Sequence, residues 1–200
     1  MTALDLDHIS KLLDRQRPDD PPDNGSKRAA VAMILREGRD CMEMLFIERA
    51  ADERDPWSGN LAFPGGRVEH GEEPREAAER ETVEEIGLGL ALAKYLGRLS
   101  DIGGTHLPVR VSCFVYGLTE HDIELALNDE VNDAFWVRLD DLRSEERHII
   151  APVRFADENY HVPAIRLPIP DKPVLWGLTH RLVLQLFEII SINLDLKIAF

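Results

Sequence analysis

Short apolar runs fill the middle of the chain and predict a strand-rich domain. Most hold eight to eleven residues, and Gly, Pro, Asp or Asn, the residues that usually end strands, lie at or near many of their ends. The predicted strands are residues 28–37, 42–50, 91–100 and 109–119, a short strand around 61–63, a strand running into a short helix over 134–142, and two β-prone segments, 148–155 and 160–168.

Both ends of the chain show helical periodicity instead. Within the first sixteen residues, one side of a helix carries Leu4, Ile9, Leu12 and Leu13. The Pro- and Asp-rich segment 17–26 cannot continue that helix, and 177–192 predicts a closing helix. We therefore expect an N-terminal helix and linker (1–26), a main domain (27–192) and a C-terminal tail (193–200).

A central helix is predicted from Pro74 to Ile86. Proline suits the first turn of a helix, where its missing N–H is not needed, and Gly87 is a good C-terminal stop. Because helices and strands do not alternate regularly, the predicted fold is α+β, with a mixed β-sheet between helices in an α/β/α sandwich.

Acidic residues dominate the composition. The formal charge is −14, from 37 acidic and 23 basic residues, which argues against nucleic-acid partners because nonspecific binding requires Lys and Arg to neutralise phosphates. The two cysteines, Cys41 and Cys113, predict a reduced compartment. The chain has neither an apolar run of about 20 residues nor the pattern of a secretory signal, so we expect a cytoplasmic protein without a membrane partner.

Three glutamates of the central helix form a pattern that needs an explanation. Glu81, Glu84 and Glu85 fall within an arc of about 100°, and no Lys lies among them to offset their repulsion. We expect Arg80 to pair with Glu76 and Glu84. A solvated charged face explains such a pattern, and so does a cation site, since carboxylates and a backbone carbonyl suit Mg²⁺ or Mn²⁺.

The run from Gly66 to Leu88 resembles the signature of the Nudix hydrolases. That signature is Gly, five residues, Glu, seven residues, Arg-Glu, an apolar residue, any residue, Glu-Glu, any residue, Gly and an apolar residue. It falls here on Gly66, Glu72, Arg80, Glu81, Thr82, Glu84, Glu85, Gly87 and Leu88. One position departs, because Thr82 stands where an aliphatic residue is usual, although its methyl group can still pack.

The resemblance implies a role for each matching residue. Divalent metal, Mg²⁺ or Mn²⁺, would be held by Glu81, Glu84, Glu85 and the carbonyl of Gly65. Glu72 would support the site, and Arg80 would orient the glutamates. The proton of the attacking water would pass to a signature glutamate, Glu81 or Glu84, or to one from a later loop, for which Glu130 is the candidate; the sequence leaves this choice open.

The segment before the signature resembles the motif of the coenzyme A pyrophosphatase branch of that family. Arg49-Ala50, Arg54, Gly59 and the Phe63–Gly66 turn match it. Ile47 stands where that motif has Thr, and four residues rather than three separate Arg54 from Gly59. Substrate contacts are expected from Arg49, Arg54 and Trp57, whose alternative roles are a surface ion pair or core packing.

The implied reaction splits the diphosphate bond of a nucleoside diphosphate derivative, with coenzyme A or acyl-CoA giving 3′,5′-ADP and 4′-phosphopantetheine. Two alternatives stay open: a Nudix pyrophosphatase acting on ADP-ribose, NADH or a nucleotide, and a non-catalytic nucleotide-binding module. The intact set of predicted metal ligands argues against the second. Homodimers are common in the resembling family, so a homodimer is a further expectation.

Overall fold

The computed structural model describes residues 4–20, 25–52, 57–103, 108–120, 122–155 and 158–194. Within these residues lie the helices α1 (Leu6–Arg15), α2 (Pro74–Ile86), α3 (Leu139–Arg143) and α4 (Gly177–Leu194). The strands are β1 (Lys27–Glu37), β2 (Met42–Arg49), β3 (Leu61–Ala62), β4 (Gly65–Arg67), β5 (Lys94–Arg98), β6 (Ile102–Gly103), β7 (Val109–Leu118), β8 (Val131–Arg138), β9 (His148–Phe155), β10 (Glu158–Ile165) and β11 (Leu175–Trp176).

A mixed sheet forms the centre of the molecule. Its order is β3-β2-β1-β7-β5, with β4 paired to β1, β6 to β7 and β8 to β2. The long strands β1 and β7 run parallel, and the other pairs are antiparallel. The segments 148–155 and 160–168 contribute to a separate antiparallel sheet, in the order β11-β10-β9.

The two faces of the central sheet are covered by different helices. Side chains alternate along β1, as they must in a strand: Ala30, Ala32 and Ile34 pack with α2, whereas Met33 and Leu35 join a larger core with α1 and α4. The α+β fold with a mixed sheet between helices is therefore confirmed.

Helix α1 is an integral part of this core. Its apolar side chains Leu6, Ile9, Leu12 and Leu13 are buried. Gly97 of β5 and Gly117 of β7 make room for it, since a Cβ at either position would lie 2.7–2.8 Å from a leucine of α1. The division into 1–26, 27–192 and 193–200 stays a prediction, but the N-terminal helix packs on its own chain, and residues 195–200 lie outside the described residues.

Candidate active site

Hydrogen bonds hold both ends of helix α2 and so fix the direction of its acidic face. At its start, the N–H of Glu73 donates to the Glu76 side chain at 3.3 Å. At its end, Gly87 adopts a left-handed φ of 68°, and Ala126 and Asn128 donate to the carbonyls of Ile86 and Glu85. The last turn of α2 is therefore hydrogen-bonded to the loop that leads to Glu130.

Glu85 is the most deeply buried acid of the site, with 2% of its surface exposed. Its Oε2 accepts from the N–H of Gly65 at 2.9 Å, and its Oε1 lies 3.8 Å from Nη1 of Arg49. Burial raises the pKa of Glu85 to about 7, against the opposing effect of Gly65 and Arg49; Glu81 and Glu130 raise it further by repulsion. Burial therefore disfavours the charged form of the Glu85 side chain.

Glu81 is half-buried and lies against the backbone of β4. A Cβ built on Gly66 would stand 2.4 Å from the Cδ of Glu81, so only glycine leaves room for this carboxylate. Burial raises the pKa of Glu81, and Glu84 and Glu130 add repulsion, while Arg80 opposes both. Four acids, including the loop acid Glu130, therefore act on one another electrostatically.

Arg80 connects the acids on the outer side of the site. Its Nε donates to Glu72 at 2.9 Å, and its Nη1 donates to Glu81 at 2.9 Å and to Glu84 at 3.0 Å. These hydrogen bonds from Arg80 hold the pKa of Glu72 below its ordinary value. The predicted pairing of Arg80 with Glu84 is present; the predicted pairing with Glu76 is wrong, because the Glu76 carboxylate caps the helix instead.

The donor chemistry of this cluster fits a hard divalent cation, since carboxylates supply every side-chain oxygen. Glu84 is 54% exposed, and Glu130 is also exposed, so both can reach a ligand from solvent. Within the described part of the chain, no three His, Cys, Asp or Glu side chains already stand close enough together to hold a metal ion. Arg80 is the cation that Glu81 and Glu84 contact in this arrangement.

A cavity of about 320 Å³ borders the acidic cluster. Arg49, Gly65 and Gly66 contribute to its lining, and the same three residues contact or abut the acids of α2. The size lies at the lower end of the ~300–1,000 Å³ typical of ligand pockets. The cavity and the acids therefore share one wall.

Aromatic side chains also line the cavity. Trp57 lines it, with its ring centroid 4.6 Å from Phe155 and 6.3 Å from Trp176. Trp176 also lines it and donates from Nε1 to Asn60 at 2.9 Å, and the carbonyl of Asn60 accepts from the N–H of Arg49. The structure thus brings Trp57 and Arg49 to one cavity, whereas Arg54 lies outside the described residues.

Two groups of site residues were missed by sequence reasoning. Gly66 was matched only as a signature position, and its steric role depends on the approach of β4 to α2. Trp176 and Thr179 lie at the start of the closing helix predicted over 177–192, in an apolar-Trp-Gly-x-Thr-x-Arg pattern from which we predicted no site residue. That pattern was the available signal; both residues line the cavity.

Comparisons with known proteins show which family the chain resembles. The NUDIX domain model matches residues 26–156. An uncharacterized protein of Schizosaccharomyces pombe is 28% identical, over 96% of this chain and 72% of its own length. Nudix hydrolase 3 of Caenorhabditis elegans is 30% identical, over 60% of this chain; the match spans 50% of that relative.

The solved structures support the fold. A MutT/nudix family protein from Enterococcus faecalis has a TM-score of 0.59, covering 95% of this chain and 70% of its own, at 15% identity. In the described ranges, none of the helices has both the length and the apolar character that a membrane crossing requires. The family match covers well over half of the chain, which therefore belongs to the NUDIX domain family, whose relatives include named hydrolases.

Proposed function

We propose that this protein hydrolyses the diphosphate bond of a nucleoside diphosphate derivative, with coenzyme A or acyl-CoA as its substrate. The observation that carries the proposal is the wall shared by the cavity and the acids, formed by Gly65, Gly66 and Arg49. A ligand held in the cavity can present its diphosphate to the glutamates across this wall.

The divalent ion, Mg²⁺ or Mn²⁺, would be held by Glu81, Glu84, Glu85 and the carbonyl of Gly65. When bound, it neutralises the diphosphate and lowers the pKa of the attacking water. The chain's own residues supply the rest. Gly65 and the capped ends of α2 hold Glu85 in place, and Arg80 spaces Glu72, Glu81 and Glu84 through its fixed guanidinium fork.

A carboxylate must also take the proton of the attacking water. We assign this role to Glu130, which is exposed and whose backbone carbonyl accepts from the N–H of Ala50, next to Arg49, at 2.8 Å. Its charge acts on both Glu81 and Glu85. Glu81 and Glu84 are the alternative proton acceptors on α2. Substituting Glu81, Glu84 and Glu130 one at a time distinguishes the three candidates.

The coenzyme A assignment is supported by the motif around Arg49 and by the chemistry of the cavity. Trp57 and Trp176 provide an aromatic surface for a base or a long apolar arm, and Arg49 adds a cation close to the diphosphate. The additional residue between Arg54 and Gly59 changes the length of this loop relative to the motif. ADP-ribose, NADH and nucleotides are therefore the competing substrates.

A comparison of substrates tests the proposal. Purified protein is incubated with Mg²⁺ or Mn²⁺ and with coenzyme A, acyl-CoA, ADP-ribose or NADH, and product release is measured. We expect the highest kcat/KM on coenzyme A or acyl-CoA, with 3′,5′-ADP as a product. An equal or higher kcat/KM on ADP-ribose would transfer the assignment to that substrate. Absence of turnover on the whole panel would favour a non-catalytic binding module.

A further inference from the structure

The charged residues that line the cavity are all basic. Lys27, Arg28, Arg49 and Arg67 contribute to the lining, and no described acid does. This composition opposes that of the chain, in which acidic residues outnumber basic ones by 37 to 23. A cavity with a cationic rim and apolar walls, in a protein of net charge −14, selects an anionic ligand with an apolar part.

Strand pairing places two of these cations side by side. Ala29 of β1 lies opposite Arg67 of β4, so the two side chains point to the same face. Lys27 is two residues before Ala29 and shares that face. Diagonal neighbours of this kind are about 7–8 Å apart at Cα, which is close enough for two long basic side chains to contact one anion.

Lys27 and Arg67 differ from Arg49 in their surroundings. Arg49 lies 3.8 Å from the buried carboxylate of Glu85, so its charge already interacts with the acidic cluster. Lys27 and Arg67 are exposed, and neither makes an ion pair with an acid among the described residues. Their charges are therefore available to a ligand.

We propose that Lys27 and Arg67 bind a phosphomonoester that the substrate carries in addition to its diphosphate. The assignment rests on the proposed function, because it assumes that the diphosphate lies at Gly65. Arg67 is two residues further along β4, about 7 Å away at the rise of a strand. The additional phosphate is thus attached close to the diphosphate, on the sugar of the nucleoside half.

The test uses substrate pairs that differ by one phosphomonoester: coenzyme A with dephospho-coenzyme A, and NADPH with NADH. The double variant Lys27→Gln/Arg67→Gln is compared with Lys11→Gln/Arg15→Gln, which removes the same charge from exposed positions of α1. In the wild type we expect a lower KM for the phosphorylated member. Loss of charge-assisted hydrogen bonds should shrink the KM ratio of the pair by about tenfold to a hundredfold, in the first variant alone.

Arg49→Gln provides a contrast within the same cavity. It should raise KM for both members of a pair by the same factor, because Arg49 faces the diphosphate side. A wild type that shows no preference for the phosphorylated member would overturn the assignment, and so would a preference that survives in Lys27→Gln/Arg67→Gln. Preference for ADP-ribose over coenzyme A would overturn the coenzyme A proposal alone, since the NADPH and NADH pair still reports on the phosphate.

If no substrate is turned over, a binding measurement still tests the proposed phosphate subsite. Titration calorimetry with adenosine 3′,5′-bisphosphate and with AMP, in the presence of a chelator, measures the same difference without catalysis. Tighter binding of the bisphosphate by the wild type and by Lys11→Gln/Arg15→Gln, lost in Lys27→Gln/Arg67→Gln, supports the subsite. Equal affinity for the two nucleotides in the wild type refutes it.

Discussion

Gly66 and Glu81 are in such close contact that a Cβ on Gly66 would lie 2.4 Å from the Cδ of Glu81. The atoms that a new methyl group would meet belong to the end of a flexible side chain, so Glu81 can rotate away. We expect Gly66→Ala to lower kcat at least tenfold while changing the free energy of unfolding by less than about 1.5 kcal/mol. Steady-state kinetics and urea denaturation measure the two effects.

Gly65 provides the contrast, because a Cβ there would meet the backbone oxygen of Ala30 at 2.3 Å, with φ at 152°. Since backbone atoms cannot rotate away, Gly65→Ala should destabilise the protein by more than Gly66→Ala does. Gly89→Ala is the neutral control, as nothing lies within 4 Å of its Cβ position. If Gly66→Ala keeps the kcat of the wild type, the position of Glu81 against Gly66 is not required for the reaction.

Glu84 should matter for the reaction and little for stability. It is 54% exposed and its contact is an i, i+4 pair with Arg80, which is worth a few tenths of a kcal/mol. We expect Glu84→Gln to lower kcat by two or more orders of magnitude at nearly unchanged stability. Glu76→Gln is the matched control on the same helix, because an amide oxygen can still accept the capping bond from Glu73. Equal kinetics of the two variants would refute the role of Glu84 in metal binding.

The raised pKa of Glu85 predicts how stability depends on pH when metal is chelated. Burial raises that pKa from 4.5 to about 7, and the facing groups Arg49, Glu81 and Glu130 modify it. Between these two values the folded protein binds more protons than the unfolded chain, so stability falls as pH rises through the window, by roughly 3 kcal/mol.

Glu85→Gln removes this dependence. Urea denaturation at pH 5 and pH 8 in a chelator should show a smaller loss of stability in the variant than in the wild type. Added Mg²⁺ or Mn²⁺ should stabilise the wild type at pH 8 by more than it stabilises Glu85→Gln, because the proposed metal site uses the ionised carboxylate of Glu85. A wild type that gains stability between pH 5 and pH 8 would contradict the pKa assignment.

The limits of α2 could be predicted because they depend on neighbouring residues in the sequence. Pro74 at the first turn and Gly87 after the last are local signals, and the helix runs from Pro74 to Ile86 as expected. The apolar run within residues 28–37 likewise predicted a strand, which is β1. The partner of Arg80 could not be obtained in this way, since Glu72 and Glu76 both lie within reach of its guanidinium and the capping bond to Glu73 decides between them.

The cavity depends on contacts between distant segments, and no periodicity reports these. Trp176 donates a hydrogen bond to Asn60, 116 residues away in the chain. The sequence predicted only a turn at Phe63–Gly66, whereas the structure forms β4 there and pairs it with β1. The sequence could therefore identify the acids by their spacing along one helix. It could not show which side chains from other elements surround the substrate, and Trp57 alone was named on the aromatic side.

Thr82 is the position where the signature departs from an aliphatic residue, and the structure explains why it is tolerated. The side chain is fully buried, and its hydroxyl donates to the carbonyl of Ala78 at 2.7 Å, as buried Thr does within helices. We expect Thr82→Val to change the free energy of unfolding by less than about 1.5 kcal/mol and kcat/KM by less than threefold. A large loss of activity would assign the hydroxyl a role beyond packing.

The burial of α1 leads to the last prediction, which concerns the N-terminal helix. Ile9 is 0% exposed and packs in the core shared with α4 and the central sheet. Because the surrounding core collapses only in part around a cavity, Ile9→Ala should lower the free energy of unfolding by about 2–5 kcal/mol. Lys11→Ala, at an exposed position of the same helix, should change it by less than about 0.5 kcal/mol. Equal stabilities of the two variants in urea would mean that α1 is a detachable extension; a loss confined to Ile9→Ala places the helix in the folding unit of the main domain.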